Sequence, residues 1–143
     1  MAKRKLLPRP HGSGKYTVAG FRGHIVSVLR AASRWWPPKS ECRKRARVGP
    51  NQFKCAGPCK KCVAGTYKVK GKIKKQAYVF VDHIDPVVDP NVGFISYDSF
   101  IERLFVETDK LQLLCKPCHD AKTASEKAIA VARVRKEKED ATT

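Results

Sequence analysis

The hydrophobic positions change period along the chain, and each change marks an element. Across residues 20–33, Phe21, Ile25, Val28, Leu29 and Ala32 recur at i, i+4, i+7, i+8 and i+11. That spacing places them on one face of a helix, with Arg22, Arg30 and Arg34 off it. Trp35-Trp36-Pro37-Pro38 is expected to end this helix, because a residue before proline resists helical ψ and proline lacks an N–H. The Trp pair reads as a core or docking anchor rather than a base-stacking platform. Residues 40–48 predict a second, short basic helix, in which Cys42 is expected to be a buried or inert thiol.

Beyond Gly49-Pro50-Asn51 the pattern shortens. Residues 67–75 (YKVKGKIKK) alternate apolar and basic side chains around Gly71, the signature of a basic β-hairpin. Residues 78–84 (YVFVDHI) read as a buried strand ending in an acid and a histidine, and Pro86 and Pro90 then force a loop. A helix is predicted over 97–106, with Phe100, Ile101, Leu104 and Phe105 on one side. A short strand follows over 111–114, then a helix over 119–138 whose charged last third frays into solvent. The expectation is an α+β chain: a flexible basic arm over 1–19, a main domain over 20–125 and a charged C-terminal helix or tail over 126–143.

Charge divides the 143 residues unevenly. Residues 1–75 hold 21 Lys and Arg against one acid, Glu41, a net of +20. Residues 76–143 hold 9 against 12 acids, a net of −3. A basic field of that size attracts polyanions, which points to DNA or RNA and away from an acidic protein partner or a small neutral substrate. Hairpin residues Lys68, Lys70, Lys72, Lys74 and Lys75, with Arg43, Lys44, Arg45 and Arg47, are candidate phosphate contacts. About half of them are expected to be ordinary solvated surface. No apolar run approaches the roughly 20 residues that span a membrane, and Met1–Pro8 lacks the apolar stretch of a secretory signal. The expected location is therefore cytoplasmic and reducing, where clustered cysteines serve as metal ligands before disulfides.

Two constellations carry chemistry. Cys115-Lys116-Pro117-Cys118 is a CxxC pair, and Cys55-Ala56-Gly57-Pro58-Cys59-Lys60-Lys61-Cys62 offers two overlapping partners, Cys55/Cys59 and Cys59/Cys62. Four of these five cysteines would close a structural zinc site, with no open position for catalysis. Asp82-His83, weak as a motif by itself, gains weight from His119, which directly follows Cys118 at a predicted helix start. A carboxylate and a neutral imidazole suit Mg²⁺ or Mn²⁺, and a second imidazole can take a proton from water near neutral pH.

Asp82-His83-Ile84-Asp85-Pro86, Phe100-Ile101-Glu102-Arg103-Leu104-Phe105 and the run from Leu111-Gln112-Leu113-Leu114 through Cys118-His119-Asp120-Ala121-Lys122-Thr123 together resemble the HNH endonuclease family. The resemblance is to small phage-type members with a CxxC…CxxC zinc, and Ser33-Arg34-Trp35-Trp36-Pro37-Pro38 resembles their basic N-terminal region. It covers residues 20–125. It implies a ββα-metal (His-Me finger) core with zinc knuckles. Asp82 and His119 would hold one divalent metal, His83 would be the general base, and the products would carry 5′-phosphate and 3′-hydroxyl ends. By the same resemblance the partners would be DNA and phage terminase or packaging proteins in a host cytoplasm; monomer and dimer are both compatible. One position departs from the family: Lys110 stands where the middle Asn is expected. That departure keeps a second reading open, a catalytically weak zinc-stabilised nucleic-acid-binding module of the same fold. A third, a basic ribosome-associated zinc protein, gives no reason for the Asp-His and Cys-His spacing. No base-reading helix is evident, so low sequence specificity is expected.

Overall fold

The computed structural model describes residues 6–59, 63–64, 66–77 and 79–143. The architecture is α+β, with four helices and three antiparallel sheets among those residues. The chain divides into two compact units, Met1–Arg34 and Trp35–Thr143.

In the first unit, residues 11–16 close a turn through a bridge between His11 and Tyr16, inside the stretch read as an arm. Thr17 caps the following helix, its Oγ1 accepting from Gly20 N at 3.0 Å. Helix α1, Val18–Ser33, covers the predicted segment, and the Phe21 ring stacks on His11 at 4.4 Å.

The second unit opens with α2, Pro37–Ala46, which starts three residues before the expected one. Pro37-Pro38 does not merely end α1; proline's fixed φ and missing N–H suit the first turn of a helix, and here it begins the next one. The two tryptophans separate. Trp36 donates from Nε1 to Val106 O at 2.7 Å and meets Phe105 edge-on at 5.4 Å, an anchor as expected. Trp35 is 88% exposed.

Strands β1 (Arg47–Gly49), β2 (Gln52–Lys54) and β3 (Val63–Ala64) form one small sheet, and β4 (Thr66–Val69) and β5 (Lys72–Ala77) form the predicted basic hairpin. Val69 pairs with Lys72, so Lys70 and Gly71 make a two-residue turn with φ of 50° and 76°. Both turn residues need positive φ, which glycine takes without strain. Strands β6 (Val79–His83) and β7 (Leu111–Cys115) pair antiparallel, with Asp82 opposite Gln112 and His83 opposite Leu111. Between them lie α3 (Tyr97–Leu104) and a single 3-10 turn, Thr108–Lys110. Helix α4, Lys116–Asp140, follows β7 directly and touches both β6 and β7.

Strand β7 is buried on both sides, which explains its near-continuous apolar run. Leu111 and Leu113 pack with Cys42, Phe53 and Val79 in one cluster; Leu114 packs with Cys55, Cys115 and Cys118 in another. Cys42 is buried, as expected, and burial raises its thiol pKa. On α3, Phe100 and Leu104 are buried while Ile101 turns toward solvent, so the apolar face is narrower than its composition predicts. No helix among the described residues is long and apolar enough to cross a membrane.

Candidate active site and metal centre

The metal centre is built by β7, the start of α4 and the segment after β2. Cys55, Cys59, Cys115 and Cys118 place their four sulfurs within 4.8 Å of one another. Cys59 and Cys115 are already 3.9 Å apart, close to the spacing of about 3.8 Å between thiolates on one tetrahedral zinc. The backbone supports one sulfur in particular: Gly57 N and Cys115 N both donate to Cys55 Sγ, each at 3.3 Å. Ala56 N donates to Leu113 O at 2.8 Å and pins this knuckle to β7. Gly57 has a steric role, because a Cβ there would lie 2.8 Å from Cys118 Cβ and 2.9 Å from its sulfur. A closed set of four thiols suits a structural metal such as zinc. The arrangement uses the Cys55/Cys59 pair; Cys62 lies outside the described residues.

The second constellation sits where β6 faces α4. Residues two apart on a strand share a face, so Phe80 and Asp82 point the same way. Phe80 stacks on the His119 ring at 4.3 Å, and Asp82 Oδ2 lies 2.9 Å from Lys122 Nζ. His119 and Lys122 are three residues apart on α4, successive contacts on one helix face. Helix α4 starts at Lys116 rather than His119, with Pro117 in its first turn, so Cys118 and His119 leave the same turn in different directions. One serves the thiol cluster and the other packs on β6.

Within this constellation His119 Nδ1 is buried and has no hydrogen-bond partner among the described residues. Asp120 Oδ1 lies 3.6 Å away, beyond hydrogen-bond range. Lys116, 2.6 Å from Asp120, draws that carboxylate and lowers its pKa. Lys122 has the opposite situation. Its ammonium contacts Asp82, the main-chain O of His83 at 3.0 Å, and Glu126. Burial is the largest single influence on Lys122 and lowers its pKa, but hydrogen bonds and charge from Glu126 and Asp82 together raise it above its ordinary value. Gln112, opposite Asp82, reaches the same carboxylate oxygen from 3.5 Å.

His83, at the end of β6, is bonded through Nε2 to Leu104 O at 2.9 Å. A carbonyl only accepts, so Nε2 is the donor, and in the neutral ring the lone pair is then on Nδ1. The loop after His83 is fixed by arginines: Arg103 donates from Nε to Pro86 O at 3.0 Å, and Arg133 of α4 donates to Pro90 O at 3.1 Å. Lys110 contributes its main-chain O, which accepts from Ile84 N at 3.0 Å and extends the β6–β7 ladder past His83. Its side chain is exposed.

Comparison with family models, characterised proteins and solved structures finds no match to this chain.

The candidate phosphate contacts divide. Lys70 and Lys72 are exposed at the tip of the β4–β5 hairpin. Lys68, Lys74 and Lys75 belong to the same strands by backbone, but their side chains lie outside the described set. Arg43 lies over the Phe53 ring at 4.7 Å, and Arg45 is bonded to Glu41 at 3.2 Å. Those two guanidiniums serve the fold as well as any ligand. Sequence reasoning assigned no part to Lys122, Glu126, Gln112 or Gly57. The helical spacing of His119, Lys122 and Glu126 was the available signal for the first two. A groove of ≈ 530 Å³ runs from Gly57 and Pro58 past Gln112 to Lys122.

Proposed function

We propose that this chain is a metal-dependent endonuclease that hydrolyses DNA phosphodiester bonds with low sequence specificity, on a ββα-metal core of the HNH type. The observation that carries the reading is the pairing of β6 with α4 across one face. It sets the Asp82 carboxylate beside that helix and packs His119 two residues back along the strand, with a buried Nδ1 that makes no hydrogen bond among the described residues. A buried imidazole nitrogen without a hydrogen bond, on a helix packed against the strand that carries Asp82, fits a cation ligand, since an unsatisfied buried polar atom otherwise costs stability.

In this reading Asp82 and His119 hold Mg²⁺ or Mn²⁺. When bound, that ion stabilises negative charge on the phosphoryl group and the leaving 3′ oxygen. His83 takes the proton from the attacking water, and the Leu104 carbonyl holds its ring in the tautomer that leaves Nδ1 basic. The family's Asn steadies the loop that carries the base. Here main-chain bonds at Ile84–Lys110 and the Arg103 and Arg133 ties supply that support, so Lys110 is compatible with turnover. The Cys55/Cys59/Cys115/Cys118 cluster, filled by zinc, fixes the start of α4 and with it His119. Lys70 and Lys72 at the hairpin tip contact backbone phosphates, which position DNA without reading its sequence.

One observation favours the second reading, a binding module without turnover: the Lys122 ammonium already neutralises Asp82. End chemistry separates the two. With Mn²⁺ the protein is expected to nick plasmid DNA and leave 5′-phosphate and 3′-hydroxyl ends that DNA ligase reseals. Nicks that ligase cannot reseal contradict the mechanism, and binding without nicking contradicts the enzyme reading.

A further inference from the structure

Lys122 is held by three oxygens: Asp82 Oδ2 at 2.9 Å, His83 main-chain O at 3.0 Å, and Glu126 Oε1. Three hard oxygen donors around one positive centre are also what a divalent cation of the Mg²⁺ class takes. The ammonium thus stands where cation ligands converge, on the carboxylate that the nuclease reading assigns to the metal. The Lys122 side chain also lines the ≈ 530 Å³ groove that begins at Gly57 and Pro58 and keeps part of its surface open to solvent. An anion entering that groove would meet it, and in a chain with 21 Lys and Arg in its first 75 residues the expected polyanion is nucleic acid.

We propose that Lys122 is a tethered counter-ion that occupies Asp82 until a phosphodiester arrives, so that DNA and the divalent cation bind cooperatively. Without DNA, the ammonium satisfies Asp82 and opposes a second cation there by like-charge repulsion. With DNA in the groove, a backbone phosphate offers Lys122 a new anionic partner. Asp82 is then released to the divalent cation. Glu126, one turn further along α4, stays bonded to the Lys122 ammonium throughout, so the exchange is a short swing of that nitrogen from Asp82 to the phosphate rather than an unfolding. The coupling is reciprocal: the cation must strengthen DNA binding by the factor by which DNA strengthens cation binding. This inference rests on the reading of Asp82 as a metal ligand.

The test is Mn²⁺ binding followed by electron paramagnetic resonance, with and without a short duplex, in a His83→Ala background so that the DNA persists. Lys122→Met should bind Mn²⁺ about tenfold more tightly than its Lys122 parent when DNA is absent, within the usual range of coupling factors. Duplex should tighten the parent about tenfold more than it tightens Lys122→Met, in which only the direct phosphate–cation attraction remains. Lys122→Arg, which keeps the charge, should bind like the parent, and Lys122→Gln provides a second neutral variant if Met disturbs folding. Equal Mn²⁺ affinity of the parent and both neutral variants without DNA would overturn the counter-ion role while leaving the nuclease reading intact. Mn²⁺ affinity unchanged by Asp82→Asn would instead show that the cation is held elsewhere, which overturns the nuclease reading and this inference together.

Discussion

His83 Nε2 and Leu104 O are joined by a 2.9 Å hydrogen bond that links the end of β6 to the end of α3. The acceptor is main chain, so no substitution at position 104 removes it directly. What Leu104 controls is where the carbonyl sits, because its side chain is 2% exposed and anchors α3. Leu104→Ala is expected to cost about 2–5 kcal/mol of stability, the usual range for a buried leucine. It should also lower nicking by the folded fraction, since His83, the proposed base, loses its orientation. Chemical denaturation alongside a nicking assay under native conditions checks both; a stable Leu104→Ala with unchanged activity contradicts the positioning role.

Lys110→Asn, which places at this position the residue expected in the HNH family that the sequence resembles, should change little. The Lys110 side chain is exposed, and its contribution to the site is a main-chain bond to Ile84 that asparagine also makes. Stability is expected within about 0.5 kcal/mol of wild type, the range for surface changes, and nicking within about twofold. A large gain in activity would mean that the side chain at 110 matters and that the main-chain support described above is insufficient.

The thiol cluster should hold about one zinc per chain, measured by elemental analysis after dialysis. Cys55→Ser and Cys118→Ser should each lose the metal and unfold at markedly lower temperature. Gly57→Ala is a subtler probe, because its new Cβ would meet Cys118 Cβ at 2.8 Å. It is expected to destabilise by about 1–3 kcal/mol, as overpacking does, and to release zinc faster to a chelator. Chelator kinetics equal to wild type would show that the knuckle does not need the close approach.

Much of this was legible in the residues themselves. The Lys70-Gly71 turn, the strand ending in Asp82-His83 and the CxxC before α4 each depend on local chemistry: positive φ, an apolar run, thiol spacing. What escaped depends on which faces meet. The bond from Lys122 to Asp82 exists because α4 lies across the Phe80/Asp82 side of β6, and no local pattern states that. The Arg103 and Arg133 ties to the Pro86–Pro90 loop are likewise long-range and bind backbone atoms that carry no side-chain signal. Trp35 and Trp36 look equivalent in sequence, yet only Trp36 reaches a partner at Val106, because α2 begins immediately after it.

Cys42 offers a pH-linked prediction. Burial raises its thiol pKa, so folding favours the neutral form. That contribution is fully present below the unfolded thiol pKa of about 8.5 and is lost as pH rises through the higher folded value. In alkylation with iodoacetamide after zinc removal, Cys42 should react far more slowly than Cys59, which is exposed. Equal rates, read by peptide mass analysis, contradict its burial.

DNA affinity should fall steeply with salt, since phosphate contacts release counterions. Replacing both Lys70 and Lys72 by Gln should lower the salt slope by about two and weaken binding equally across sequences. A slope that does not change removes the hairpin tip from the DNA interface.

The proposed cleavage of DNA with His83 as base is tested most directly on supercoiled plasmid with Mg²⁺ or Mn²⁺. Wild type is compared with His83→Ala and with an EDTA control, each protein first checked for bound zinc and a wild-type melting profile. Wild type should show metal-dependent nicking that His83→Ala loses by a factor of about 10²–10⁴, the usual worth of a general base. Nicking by His83→Ala at the wild-type rate, or none by wild type with either metal, would contradict it.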